Sequence, residues 1–255
     1  MTAPIIPGAE PFSHDGGPGG VLVLHGFTGN PQSMRPVAEA LADEGLTVEL
    51  PLWPGHGTAV EDLVPLRWSD WSAAAETAYQ ALAARCDAVA LVGLSMGGTL
   101  ACWLAEAHPE IRGIVLVNPA VEPQPEEVKG FLRSLLEEGT EVAPAIGSDV
   151  AKEGVAELAY DGTPLAAVLS LFDAIETVSA GLGQVSCPVL LFSSREDHVV
   201  TPSNGDHLEA SVGGPVERVF LERSYHVATL DHDAGEIVAR TGEFVRSVLG
   251  GEAAD

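Results

Sequence analysis

One hexapeptide constrains this chain more than any other feature. Gly93-Leu94-Ser95-Met96-Gly97-Gly98 follows an apolar run over 88–92 and opens a helix-like stretch over 96–106. A serine at a strand-to-helix junction occupies a tight, strained turn, and glycines on both sides let neighbouring backbone approach. The turn lifts the Ser95 hydroxyl to the edge of a sheet, at the N-terminus of a helix. As a string, G-x-S-x-G is short and arises by chance. Its meaning comes from the strand before it and the helix after it.

That context recurs along the chain. Apolar runs of strand length lie at 21–25, 46–50, 88–94, 113–118, 188–193 and 216–222. Most are nearly continuous in apolar residues, as in strands of a parallel sheet covered on both faces. Amphipathic stretches of helix length lie between them at 33–44, 68–85, 96–106, 203–211 and 231–249. Asn30-Pro31 is a start signal for the first helix, and Gly45 is placed as its C-cap. The alternation predicts an α/β fold with right-handed crossovers and helices on both faces of the sheet. The segment 119–186 breaks the rhythm, with no strand expected and helical pieces at 125–138, 149–159 and 165–181. Gly139, Pro144, Gly147 and Pro164 interrupt them. An all-helical insertion there predicts a cap over the strand C-terminal ends, where open sheets bind ligands. The expected division is a core over 1–118, a cap over 119–186 and the rest of the core over 187–255, one domain in all. A length of 255 residues suits a single α/β domain.

Composition narrows the function. With 46% hydrophobic and 19% charged residues, the chain has material for a large core. Its 37 Asp and Glu against 12 Lys and Arg give a formal charge of −25. Such a surface repels phosphate backbones and anionic headgroups, so nucleic acid is not an expected partner, nor is a polybasic membrane anchor. Residues 1–20 lack the basic and apolar regions of a secretory signal, and apolar runs such as 88–94 fall short of the ~18–20 residues that span a bilayer. Cys86, Cys102 and Cys187 fit no disulfide or metal pattern, and a reducing, cytoplasmic setting is expected. No Walker A motif, no dinucleotide fingerprint after the first strand and no metal-ligand spacing occur, so no cofactor and no metal are expected.

A serine nucleophile needs a base, and the base needs an orienting acid. On this kind of sheet the chain order is serine, acid, histidine. His226 lies just past the run 216–222 and before the last helix, where the base is needed. His56 and His198, in loops near the same edge, are its rivals. Asp197 follows the run 188–193 in Ser194-Arg195-Glu196-Asp197-His198 and is favoured as the acid, with Glu196 left open by local pattern. The oxyanion of a tetrahedral intermediate needs amide donors. These are the Met96 N–H, next to the nucleophile, and the Phe27 N–H in the loop His25-Gly26-Phe27-Thr28-Gly29. His25 is expected to order that loop by hydrogen bonding. An aspartate nucleophile is excluded because the elbow residue is serine.

Taken together, these motifs resemble the bacterial monoacylglycerol lipases and the similar small carboxylesterases of the α/β-hydrolase fold. The matching strings include His25-Gly26-Phe27-Thr28-Gly29, Pro54-Gly55-His56-Gly57-Thr58, the elbow, Glu196-Asp197-His198-Val199-Val200 and Ser224-Tyr225-His226-Val227-Ala228-Thr229-Leu230-Asp231. The last two are the most specific, and the likeness runs over almost the whole chain. It implies a mostly parallel sheet with a small helical cap inserted after the sixth strand. It also implies a Ser95–Asp197–His226 triad that hydrolyses a neutral lipid ester, in a monomer or weak homodimer. In the cap, Ile146-Gly147-Ser148-Asp149 and Glu157-Leu158-Ala159-Tyr160 match, and the resemblance assigns glycerol contacts to Glu157 and to the Ile146 backbone. Leu132, Leu135, Leu136, Leu165, Leu169, Leu171 and Phe172 are candidates to wall an acyl chain. The segment 121–139 departs from the family pattern. Competing expectations are a broad short- to medium-chain carboxylesterase, a non-catalytic ligand-binding homologue, and amide or carbon–carbon cleavage on the same fold.

Overall fold

The computed structural model describes residues 3–145 and 147–250. The chain runs β1 (Phe12–His14), β2 (Gly19–Leu24), a 3₁₀ turn at Pro31–Ser33, α1 (Arg35–Asp43), β3 (Thr47–Leu50), α2 (Val60–Leu63), α3 (Trp68–Ala83), β4 (Ala88–Leu94), α4 (Met96–Ala107) and β5 (Ile114–Val117). It continues through α5 (Glu126–Glu137), β6 (Val142–Pro144), β7 (Gly162–Pro164), α6 (Leu165–Gly181), β8 (Val189–Ser194), α7 (Ser203–Ser211), β9 (Val216–Leu221) and α8 (Ala234–Val248). The main sheet has the order β1-β3-β2-β4-β5-β8-β9. Every neighbour pair is parallel except β1 with β3 at the edge.

The near-continuous apolar runs are explained by two cores. Successive strand residues point to opposite faces. Leu22, Leu24, Leu91, Ile114, Leu116 and Leu191 join α3, α4 and α6 on one face. Val21, Val23, Ala90, Val92, Val115 and Phe192 join α1 and α8 on the other. A polar residue on either register of a central strand would therefore be buried. All six expected strands are present within one or two residues of their expected ends. Gly45 closes α1 at φ +83, and the Asn30 side chain accepts from the Gln32 N–H at 3.0 Å.

Three expectations need correction. The insertion follows the fifth strand of this chain, β5, because among the described residues only β1 precedes β2. The cap is not all-helical: β6 and β7 form an antiparallel pair, Val142 facing Pro164. Each is three residues long and ends in proline, too short for a period-2 signal. The helix expected over 149–159 is absent, and the segment is irregular. Gly154 sits at φ +77, and the segment's amides bond elsewhere in the molecule. The N–H groups of Ala151 and Lys152 donate to Asp231, and that of Leu158 donates to Gln32.

The cap helices differ in how they pack. The stretch Leu165–Gln184 is long and apolar enough by composition to cross a bilayer, which the run-length reading did not register. Half of it is buried inside the protein, with α6 packed on α3 and α4. The cap helix α5 instead buries only Lys129, whose ammonium sits among Glu126, Asp173 and Glu176.

One carboxyl in α4 is a misfit. Among the described residues Glu106 Oε1 is buried without a hydrogen-bond partner, and burial pushes the carboxyl up to about 7. A raised folded-state value means that stability is intact at low pH, where the group is protonated in both states, and is lost as pH rises towards 7. Glu106→Gln therefore raises Tm by a few degrees at pH 8 and by less at pH 5, given about 2–4 °C per kcal/mol in a chain of this size. Calorimetry at the two pH values checks this. An equal gain at both would rule out ionisation as the cause.

Candidate active site

The sheet order reverses at β2: the chain passes from β2 outward to β3, then returns to place β4 on the other side of β2. At such a switch point two adjacent loops diverge and leave a crevice at the strand C-terminal ends. Here those loops are 25–29 after β2 and the turn at Ser95 after β4. Ser95 has φ +56 and ψ −119, a conformation that costs a non-glycine residue on the order of 1–3 kcal/mol. Its surroundings hold it there. The Ser95 N–H donates to the Val117 carbonyl at 3.1 Å, and its own carbonyl accepts from Gly98, Thr99 and Ala120. The glycines are obligatory. A Cβ on Gly97 would overlap the Leu24 carbonyl, one on Gly93 would overlap Gly97, and one on Gly98 would come 2.6 Å from Pro119.

A cavity of about 1050 Å³, counting its open mouth, lies over this turn. Ser95, Phe27, Glu157 and His226 line it, and His226 is its one histidine among the described residues. His226 Nδ1 meets Asp197 Oδ2 at 2.8 Å, with the Asp197 carboxylate 1% exposed. The other Asp197 oxygen accepts from the Val199 and Val200 N–H groups at 2.9 and 2.7 Å. Those two bonds aim the carboxylate, which orients the ring and leaves Nε2 free. Ser95 Oγ and His226 Nε2 are not hydrogen-bonded to each other. Such contacts commonly tighten only when substrate is bound.

The rival groups lie elsewhere. Glu196 is exposed. His198 bonds Asp149, at 2.8 Å from Nδ1, and that hydrogen bond raises its pKa. His56 packs edge-on against Phe27 and Trp71 behind the 25–29 loop, where burial lowers its pKa to about 4. His25 is fully buried and held neutral, first by burial and then by the nearby His56. Its Nδ1 bonds the Gly26 carbonyl at 2.9 Å, and its Nε2 accepts from the Trp53 N–H at 3.2 Å. Those contacts shape the loop, as expected for an ordering residue.

Among the described residues the Phe27 N–H has no hydrogen-bond partner. Met96 is the first residue of α4, a position whose N–H has no partner within a helix. Both candidate donors thus flank the Ser95 turn. Glu157 enters the cavity from the irregular cap segment, held by its N–H to Ser148 Oγ at 2.8 Å. Its carboxylate lies so close to Gly29 that a Cβ there would overlap Oε1. Burial raises the Glu157 pKa, against the attraction of His226 and a hydrogen bond from Ser33. Ile146 lies outside the described residues. Of the leucines expected to wall an acyl chain, Leu171 lines the cavity, as does Phe172, joined by Val168 and Ile175 of the same helix. Leu165 and Leu169 are buried away from it, and those of α5 lie outside the lining.

Asn118 escaped the sequence reading, although an asparagine just past a buried strand favours a left-handed turn. It has φ +44. Its amide nitrogen donates to Ser194 Oγ at 2.9 Å and to the His226 carbonyl at 2.8 Å, and its oxygen accepts from the Ser194 N–H at 2.8 Å. It thereby ties the ends of β5 and β8 to the histidine loop.

A parallel sheet carrying a strained serine at its switch point defines an α/β-hydrolase. The family described as "Serine aminopeptidase, S33" matches residues 18–233, and the chain belongs to it. The chain is 46% identical over 244 residues to the thermostable monoacylglycerol lipase of Bacillus sp. (strain H-257), covering 94% of this chain and 96% of that one. It is 27% identical over 241 residues to a carboxylesterase of Bacillus subtilis (strain 168), covering 94% and 97%. Among solved structures, one from a study of the metagenome-derived lipolytic enzymes LipS and LipT superposes with a TM-score of 0.91 at 42% identity, over 96% of this chain and all of the other. The monoacylglycerol lipase of Paleococcus ferrophilus shares the fold, with a TM-score of 0.73 at 20% identity, over 93% and 98%.

Asn118→Ala leaves the Ser194 N–H and the His226 carbonyl without their partner, while the Ser194 hydroxyl keeps its bond to the Tyr225 carbonyl. Each unpaired buried group costs about 1–3 kcal/mol. A Tm lowered by several degrees is expected, read by thermal denaturation. An unchanged Tm would show that water replaces the amide without loss.

Proposed function

We propose that this chain is a serine ester hydrolase that cleaves monoacylglycerols to fatty acid and glycerol through an acyl-enzyme. The observation that carries the reading is His226, bonded to Asp197, sharing one apolar-walled cavity with Ser95 and Glu157. Ser95 Oγ attacks the ester carbonyl carbon as His226 Nε2 takes its proton. The Phe27 and Met96 amides hold the oxyanion. Asp197 keeps the proton of the neutral ring on Nδ1 and stabilises the imidazolium. Collapse of the intermediate breaks the bond to the glycerol oxygen, which leaves with the proton from His226. Water, deprotonated by His226, then attacks the acyl-Ser95 carbonyl and releases the fatty acid. No step calls for a metal or cofactor.

The cavity divides by chemistry. Val168, Leu171, Phe172 and Ile175 offer an apolar wall to one acyl chain. Glu157 accepts hydrogen bonds from the glycerol diol, and its charge attracts the imidazolium that forms beside it. Ile146 takes the second glycerol contact through its backbone, a role resting on the likeness to the lipases. In this reading 1–118 and 187–255 form the catalytic core and 119–186 the cap of one domain. The strongly acidic surface suits a neutral, dispersed substrate met in the cytoplasm without a stable membrane anchor.

Two measurements test this. Ser95→Ala abolishes hydrolysis of a monoacylglycerol and labelling by a fluorophosphonate, and unchanged turnover would sink the mechanism. Glu157→Ala lowers kcat/KM for monoacylglycerols by about 10-fold or more, as expected when a buried polar contact worth ~1–3 kcal/mol is lost. It has a smaller effect on methyl esters of the same acyl chain. Equal losses on both ester classes would favour a broad carboxylesterase without glycerol preference.

A further inference from the structure

We propose that Asp149, a cap residue, is a positioning residue for the general base. Through one buried carboxylate it holds the loops of Asp197 and His226 together. The inference rests on the triad reading above. Asp149 lies in the irregular segment between β6 and β7 and is 7% exposed. One oxygen accepts from two backbone amides at once, the His198 N–H and the His226 N–H, each at 3.1 Å. The other meets His198 Nδ1 at 2.8 Å. Its own carbonyl accepts from the Val227 N–H at 3.0 Å. A single cap residue therefore makes four hydrogen bonds into the two loops that carry the acid and the base, and His198 is the residue next to Asp197.

The backbone of His226 is pinned on both sides. Its N–H is held by Asp149 and its carbonyl by Asn118 at 2.8 Å. Preceding it, the Tyr225 N–H donates to Asp231 at 2.9 Å. With the backbone held, the ring retains only its side-chain torsions, and Asp197 fixes those. Of these anchors Asp149 alone comes from the cap and alone reaches both loops. A displacement of the cap at this segment would therefore move the base relative to its acid. Misplacing a reacting group by 1 Å costs on the order of 10²-fold in rate.

The test compares Asp149→Ala and Asp149→Asn with wild type on a soluble short-chain ester and in the rate of fluorophosphonate labelling of Ser95, below each variant's Tm. Expected for Asp149→Ala is a fall in kcat on the order of 10²-fold, with KM changed far less and labelling slowed in parallel. Asp149→Asn keeps one acceptor oxygen and falls by less. His198→Gln falls by less again, because its backbone N–H still donates. A kcat within about threefold of wild type for Asp149→Ala, or a lowered Tm with normal kcat and labelling, would overturn the proposal. If the alanine variant does not fold, Asp149→Asn carries the same criteria. Ser95→Ala and Asp197→Asn separate the two readings. Activity surviving in them removes the triad itself, whereas activity lost in them and kept in the Asp149 variants removes only the role of Asp149.

Discussion

The close approach of α4 to β2 at the elbow is the constraint on which the rest of the site depends. Gly97 lies against the Leu24 carbonyl and Gly98 against Pro119, leaving no space for a side chain at either position. That approach turns the chain from strand to helix within one residue, and Ser95 takes up the strain at φ +56. The strain persists because the turn is over-determined: four backbone hydrogen bonds fix Ser95, and buried strands surround it. The same approach sets the Met96 amide beside the 25–29 loop. The Ser95 turn and the proposed oxyanion donors are thus products of one packing contact.

Carboxylates organise the other half of the site. Asp197 aims the His226 ring, Asp149 pins the His226 backbone, and Asp231 accepts from the N–H groups of Tyr225, Ala151, Lys152 and His232. Asp233 binds Ser224 and Arg223; burial would raise its pKa, but these hydrogen bonds prevail and hold it low. A buried carboxylate is tolerated where several donors converge on it. Backbone amides supply most of those donors here, which suits a chain with few basic side chains. Part of the acid excess therefore works inside the molecule, fastening the cap to the histidine loop.

How much was legible depended on the range of the interaction. The inner strands β2, β4, β5 and β8 showed in the sequence because two-sided burial demands continuous apolar runs, as in Ala88–Leu94, whereas the edge strand β9 showed only as a mixed run of strand length. Ser95, Asp197 and His226 were legible because each follows a run of strand length, β4, β8 and β9 in turn. β1 was missed because it is a three-residue, largely exposed edge strand. The β6–β7 pair and the unwound 149–159 segment were missed because their amides are satisfied across the molecule by Gln32, Asp231 and the partner strand. Asn118 fell at the end of an expected strand and Asp149 at the start of an expected helix, and nothing local shows which amides they meet.

The sequence by itself determined the sheet, the elbow and the order in which Ser95, Asp197 and His226, the proposed nucleophile, acid and base, are delivered. Those follow from local sterics and from periodic burial, both written in neighbouring residues. Only the tertiary structure decided which histidine meets which acid. It places His226 on Asp197 and His198 on Asp149, although the two acceptors lie 48 positions apart. It also decided that the cap descends on its irregular segment to grip the histidine loop. A hydrogen bond between distant residues leaves no period and no spacing in the chain, so it becomes visible only once the fold has brought donor and acceptor together.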